Sequence, residues 1–149
     1  MRVRINIILL GLILAPGAFA QDATLIRRGR EVYIAEGCIH CHSQYVRPGT
    51  ADEERWGPAP PLAEITRQRP PLFGNRRQGP DLQNVGARRT AEWQRLHLQS
   101  PRRVTPGSRM PSYAYLFGPG PASDGEALLA YLASLGTAAP PSGPVGARR

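Results

Sequence analysis

The densest chemistry in the sequence lies in six consecutive residues, Gly37-Cys38-Ile39-His40-Cys41-His42. Two thiols three positions apart, followed at once by an imidazole, form the Cys-x-x-Cys-His pattern by which a chain attaches a c-type haem. The thiols reach the two vinyl groups on one edge of the porphyrin and form thioethers. The histidine that follows is then held against the iron as its proximal ligand. Histidine alone leaves the other face of the iron open. Apart from Met1 the sequence has one thioether, Met110, in Ser108-Arg109-Met110-Pro111. Methionine opposite histidine raises a cytochrome's reduction potential and suits it to electron transfer. A cysteine pair at this spacing can also be a redox dithiol or half of a zinc site. For zinc, the donors Cys38, His40, Cys41 and His42 crowd one pentapeptide, with only His97 elsewhere. His97 is also an alternative iron ligand, but Met110 has the better context. It reads more simply as a polar contact, to a propionate or a partner.

At 149 residues the chain is one domain by length. Both of its cysteines belong to the haem pattern, so no structural disulfide is expected. The core must form around the porphyrin, whose apolar surface supplements that of a small chain. All nineteen basic residues are arginine, and the formal charge is +8. Such a balance fits nucleic acid or an acidic partner surface. The arginines are scattered in twos across loops, not striped along a helix with interleaved aromatics. They are therefore read as propionate partners, docking charges and solvated surface, and no nucleic acid is expected. Arg47 and Arg55 are the candidate propionate partners, since arginine offers a carboxylate two parallel hydrogen bonds. A solvated or subunit-facing charge is an equal reading of either.

These groups need elements to position them. Residues 1–20 read as a secretory signal: Arg2 and Arg4, an apolar run from Ile5 to Leu14, and Ala18-Phe19-Ala20 as the cleavage site. An uncleaved short anchor is the competing reading, although Ile5 to Ala20 as a helix would span only ~24 Å of a ~30 Å hydrocarbon core. Residues 21–136 form the globular domain. Its first helix is expected over Asp22–Glu36, with Leu25, Gly29, Val32 and Tyr33 on one face and Gly37 ending it. Ser43 to Gly79 is rich in proline and arginine, has no clear period, and reads as a long loop with one short helical turn at Asp52–Arg55. Thr90 caps a further helix that Pro101 ends, with Trp93, Leu96 and His97 on one face. The last helix opens on the capping box Ser123-x-x-Glu126. It runs an apolar stripe of Leu128, Leu132 and Leu135 beside Tyr131, and stops at Gly136. Residues 137–149 are a proline-, alanine- and glycine-rich tail, expected to be disordered.

The pattern resembles class I cytochromes c, an all-α fold of a few helices around one covalent haem. The resemblance rests on Cys38-x-x-Cys41-His42, then Gly79-Pro80-Asp81-Leu82, then Met110, in that order. In that family the Gly-Pro-x-Leu loop packs on the proximal side and its carbonyl orients the axial histidine, which assigns that part to Pro80. Gly29-x-x-x-Tyr33 is similar to the glycine/aromatic pair at which the terminal helices of that family cross.

A narrower resemblance, to the mono-haem cytochrome c subunit (subunit II) of cbb-type haem–copper oxidases, runs from about Gly29 to Leu116. Its blocks include Gly29-Arg30-Glu31-Val32-Tyr33, Cys41-His42-Ser43-Gln44, Val46-Arg47-Pro48, Glu54-Arg55-Trp56-Gly57, Val85-Gly86-Ala87-Arg88 and Met110-Pro111-Ser112-Tyr113. It implies one covalent haem c on Cys38 and Cys41, with His42 and Met110 as axial ligands. It also implies electron relay to the oxidase catalytic subunit and exchange with other cytochromes c at the periplasmic face of a bacterial inner membrane. The chain itself would reduce no oxygen. The family usually keeps a transmembrane anchor and a longer lead before the haem pattern. Here only residues 21–37 separate the expected cleavage site from Cys38, which makes membrane association indirect. A soluble periplasmic carrier for another redox complex stays open, as does a ligand-binding or peroxidase-like haem protein with a vacant iron face.

Overall fold

The structure is a computed structural model that describes residues 17–120 and 123–136, with side chains from residue 23. The expected signal segment lies almost wholly outside the described residues, and the tail from residue 137 wholly so. The described chain is helical and contains no strand.

Helix α1 spans Gly17–Ala35 and begins before the expected start, taking in the alanines around the expected cleavage site. It buries Gly29, Val32 and Tyr33, the expected face, while Leu25 is half-buried. It stops where Gly37 takes a left-handed conformation (φ 68°), open to glycine without the steric cost that a side chain brings. A single turn, α2 (Cys38–Cys41), follows at once and carries the two thiols.

The segment from Ser43 to Gly79 holds the expected turn at Asp52–Arg55 and one helix that was not expected. Two six-residue helices punctuate it, α3 (Ala51–Trp56) and α4 (Leu62–Arg67). Thr50 caps α3, its hydroxyl accepting from the Asp52 N–H at 3.2 Å. Glu53 accepts from the Gly49 N–H at 2.7 Å, so Thr50-x-x-Glu53 behaves much as a capping box. For α4, Pro60 and Pro61 mark the entry and do not forbid the helix, because the first helical N–H groups have no intrahelical partner to lose. Glu64 and Arg67 sit at the ends that suit their charges, and Ile65 is fully buried.

Helix α5 is one turn, Val85–Arg88. Helix α6 (Ala91–Gln99) is capped by Thr90, which accepts from the Trp93 N–H at 3.2 Å. Pro101 ends α6 and also opens the next turn, α7 (Pro101–Val104), as its first residue. Along α6 the expected face is corrected. Trp93 and His97 stack one turn apart, whereas Leu96 turns outward and Gln94 and Leu98 are the buried residues. A 3-10 turn at Ala114–Leu116 leads to α8 (Asp124–Ser134). Ser123 accepts from the Glu126 N–H, as the capping box predicts. The Glu126 carboxylate, however, pairs with Arg95 of α6 and does not turn back on Ser123.

The framework is the packing of α1 against α8, the two ends of the domain, with α5 and α6 also against α8. At their crossing the backbones nearly touch. A Cβ placed on Gly29 would lie 1.9 Å from the Ala127 carbonyl oxygen and 2.6 Å from Tyr131 Cβ. Tyr33 and Tyr131 meet beside it, ring centroids 5.8 Å apart. The core runs outward from that crossing through Leu128, Leu129 and Leu132 to Val85, Leu98 and Leu116. Each such aliphatic side chain contributes roughly 1.5–3 kcal/mol on burial.

Candidate functional site

Beside the crossing lies a cavity of about 530 Å³, within the ~300–1,000 Å³ usual for cofactor pockets. Its wall brings together Cys38, Cys41, His42, Pro80 and Met110, residues drawn from more than seventy positions of sequence. The apolar lining comes from Leu82, Val85, Leu98, Leu128 and Leu132.

His42 is the most constrained of these groups. Its Nδ1–H donates to the Pro80 carbonyl at 2.8 Å. A carbonyl can only accept, so Nδ1 carries the proton and Nε2 keeps its lone pair. Burial pushes the pKa of the ring below its ordinary value, against the Pro80 bond, so the imidazole is neutral. The loop that supplies Pro80 presses on the ring from the same side. A Cβ on Gly79 would lie 2.2 Å from His42 Cε1 and 2.6 Å from Nδ1. Only a glycine fits there.

That loop is itself tied down. Gly79 N–H donates to the Cys41 carbonyl at 2.9 Å, and Leu82 N–H donates to the Ser43 carbonyl at 2.8 Å. Asp81, almost fully buried, accepts from the Ser43 hydroxyl, from the Tyr45 N–H at 3.0 Å and from the Gln83 N–H at 2.8 Å. From the helix side, Tyr33 Oη donates to the His42 carbonyl at 2.6 Å. Asp81 and Tyr33, which sequence reasoning gave no part in the site, therefore hold His42 in register. The signal that could have found Asp81 is a carboxylate within the Gly-Pro-x-Leu loop.

Burial raises the Cys38 thiol to about 12, with the nearby Glu36 carboxylate adding to the effect. Cys38 and Cys41 are not joined in a disulfide. Met110 packs half-buried against the core from the segment after α7, and its N–H donates to the Ser108 hydroxyl at 3.3 Å.

Arg47 and Arg55 do not line the cavity. Arg47 makes a two-pronged pair with Asp52, Nε–Oδ2 2.7 Å and Nη2–Oδ1 3.0 Å. Arg77 joins the same carboxylate at 2.8 Å, and Asp52 is held well below the usual carboxylate range by Arg47 first. Arg55 is exposed on α3. The arginines in the cavity wall are Arg88, Arg89 and Arg109, with His97 beside them.

The donor set and the cavity fit a haem. Two thiols, a neutral imidazole with Nε2 free of the Pro80 bond, and a thioether share one apolar wall. Among the described residues no three His, Cys, Asp or Glu side chains are grouped to hold a metal ion, which leaves a zinc site without its donors.

An all-helical domain with crossed terminal helices beside such a wall is a cytochrome c-like domain. Residues 18–123, more than two thirds of the chain, match the family model for the cytochrome c oxidase mono-heme subunit, FixO. The chain belongs to that family, and so is a mono-haem cytochrome subunit of cytochrome c oxidase and an electron-transfer component of that complex. No curated protein matches the chain. Among the described residues, no helix is long and apolar enough to cross a membrane.

Proposed function

We propose that the chain carries one haem c, attached covalently through Cys38 and Cys41, with His42 and Met110 as axial ligands. When bound, haem supplies a one-electron redox centre. The chain's own residues attach it, orient it and shield it from water. Cys38 and Cys41 provide the two sulfurs for thioether bonds. Pro80 keeps the proton on Nδ1 of His42 and so directs Nε2 to the metal, the Gly79 backbone packed on the ring keeps it from turning, and Tyr33 holds the His42 main chain. Met110 provides a soft, uncharged ligand. Leu82, Leu98, Leu128 and Leu132 keep the surroundings dry. In this reading the protein relays electrons from other cytochromes c to the oxidase catalytic subunit at the periplasmic side, residues 1–20 having directed export.

The observation that carries the proposal is the 2.8 Å bond from His42 to Pro80, made on the wall that Cys38, Cys41 and Met110 also line. The test is intact mass after expression in cells competent for haem attachment, followed by spectra of Met110→Ala. One haem on the chain is expected. Met110→Ala is expected to lower the potential and to let carbon monoxide bind the reduced protein rapidly. A chain without haem overturns the assignment, and an unchanged Met110→Ala spectrum overturns the ligation. A mass beginning at Gln21 would mean that the leader is removed, and a full-length mass that it is kept.

A further inference from the structure

The cavity wall is mostly apolar, and one stretch of its polar lining stands out. There Arg88 Nε and His97 Nδ1 are both buried, and neither has a hydrogen-bond partner. A buried donor left unpaired costs about 1–3 kcal/mol. Two on one wall, in a domain whose other buried polar groups are mostly bonded, mark a place where something else supplies acceptors.

Neither side chain is free to turn away. Arg88 Nη2 donates to the Asp81 carbonyl at 2.5 Å, and its guanidinium lies over the Trp56 ring, 5.1 Å from the centroid. His97 stacks on Trp93 with centroids 4.7 Å apart and planes only 9° from parallel. Arg89 covers the same indole at 4.7 Å and adds positive charge to the stretch. Arg88 makes no ion pair among the described residues; Asp81 is the nearby carboxylate that acts on it, and it is bonded elsewhere.

An occupant that is apolar over most of its surface and anionic at one edge meets both halves of this wall. Haem has that form, with two propionate carboxylates on a single edge. We infer, on the footing of the haem-binding reading above, that Arg88 and His97 are the residues that receive the propionates. Arg88 offers Nε–H and a cation. His97 offers Nδ1, a donor to a carboxylate in the tautomer that carries its proton there, from a ring held in place by Trp93. This gives Arg88 of α5 the part that the sequence suggested for Arg47 and Arg55, whose positions lie outside the cavity, and takes up for His97 of α6 the propionate contact that the sequence had offered it among other readings. Gln94, whose Oε1 is also buried and unpaired on this wall, is an acceptor and takes no carboxylate oxygen, so it stands outside the pair.

The test uses the haem-loaded full chain. Growth on 5-aminolaevulinate labelled with carbon-13 in its carboxyl group labels the propionate carboxylates, which redox-difference infrared spectra then isolate. His97→Phe keeps the stack on Trp93 and removes the donor. Arg88→Lys keeps the charge and removes the guanidinium fork, and serves should the first variant fail to fold. Each is expected to shift a labelled carboxylate band, with one haem still attached and the methionine-ligated spectrum retained. Arg47→Ala and Arg55→Ala are expected to leave the bands in place. Bands unmoved by His97→Phe and Arg88→Lys, or moved by Arg47→Ala or Arg55→Ala instead, overturn the inference while leaving haem binding intact. A wild-type chain without haem overturns both.

Discussion

Replacing Gly79 by alanine adds one methyl group where the Gly79–Leu82 loop meets the His42 ring. The backbone at Gly79 is not left-handed, so alanine suffers no conformational strain there. On chain entropy alone the change would stabilise by about 0.4–1 kcal/mol. The steric cost outweighs this. The new Cβ would stand 2.2 Å from His42 Cε1, against 3.4 Å for ordinary contact, so ring and loop must separate by about 1.2 Å. A retreat of that size breaks the 2.8 Å bond from Nδ1 to Pro80. Losing the bond costs about 0.5–1.5 kcal/mol and overpacking about 1–3 kcal/mol. The net is a destabilisation of about 2 kcal/mol, or roughly 10 °C in the thermal midpoint of a domain this size. Gly118 is the control, since nothing lies within 4 Å of a Cβ placed there and its φ is ordinary. Urea unfolding of the haem-loaded protein, with the spectrum recorded before denaturation, compares the two. Gly79→Ala should lose stability and perturb the spectrum, while Gly118→Ala does neither. Equal stability of the two variants, or a stability loss in Gly79→Ala with the spectrum intact, refutes the reasoning.

Three further substitutions probe the supports. Gly29→Ala favours helix by about 1 kcal/mol yet meets an immovable carbonyl at the α1–α8 crossing. A net loss of about 2 kcal/mol in urea unfolding is expected, and a gain would mean that the helices are not in contact there. Tyr131→Phe removes the hydroxyl that donates to buried Gln44 Oε1 at 2.8 Å, for a loss of about 1–2 kcal/mol in the same assay. Asp52→Asn tests the carboxylate held low by Arg47 and Arg77. Because the folded-state pKa is depressed, this stabilisation is complete above about pH 5 and fades as pH falls below about 4. The wild-type advantage over Asp52→Asn, about 1–2 kcal/mol with Arg47 half-exposed, should therefore shrink between pH 6 and pH 3. A constant advantage over that range contradicts the assignment.

The sequence pointed to a candidate site where chemistry fixes spacing. Cys-x-x-Cys-His admits few uses, so Cys38, Cys41 and His42 could be named directly. Pro80 followed by resemblance, and its carbonyl is bonded to His42. The terminal helices were legible from period and caps, down to Gly37 and Ser123. What the sequence hid was pairing at a distance. Arg47 lies in a family-like block, but its partner Asp52, five residues on in a helix, could not be read from composition. Arg88 closes the family-like block Val85-Gly86-Ala87-Arg88, but nothing local separates its part from that of its neighbour Arg89. Helix α4 was hidden by the prolines that introduce it.

The bond from Tyr33 to the His42 carbonyl and the crossing at Gly29 also imply a sequence of events in time. Helix α8 follows Cys41 by roughly eighty residues, so it is the last element of the described domain to emerge. Until it does, α1 has no partner to cross, the wall by Leu128 and Leu132 is missing, and the Cys38 thiol lacks the burial that raises it in the finished domain. On the haem-attachment reading proposed above, the two sulfurs are most open before the C-terminal helix docks, so attachment would come before α8 closes the domain.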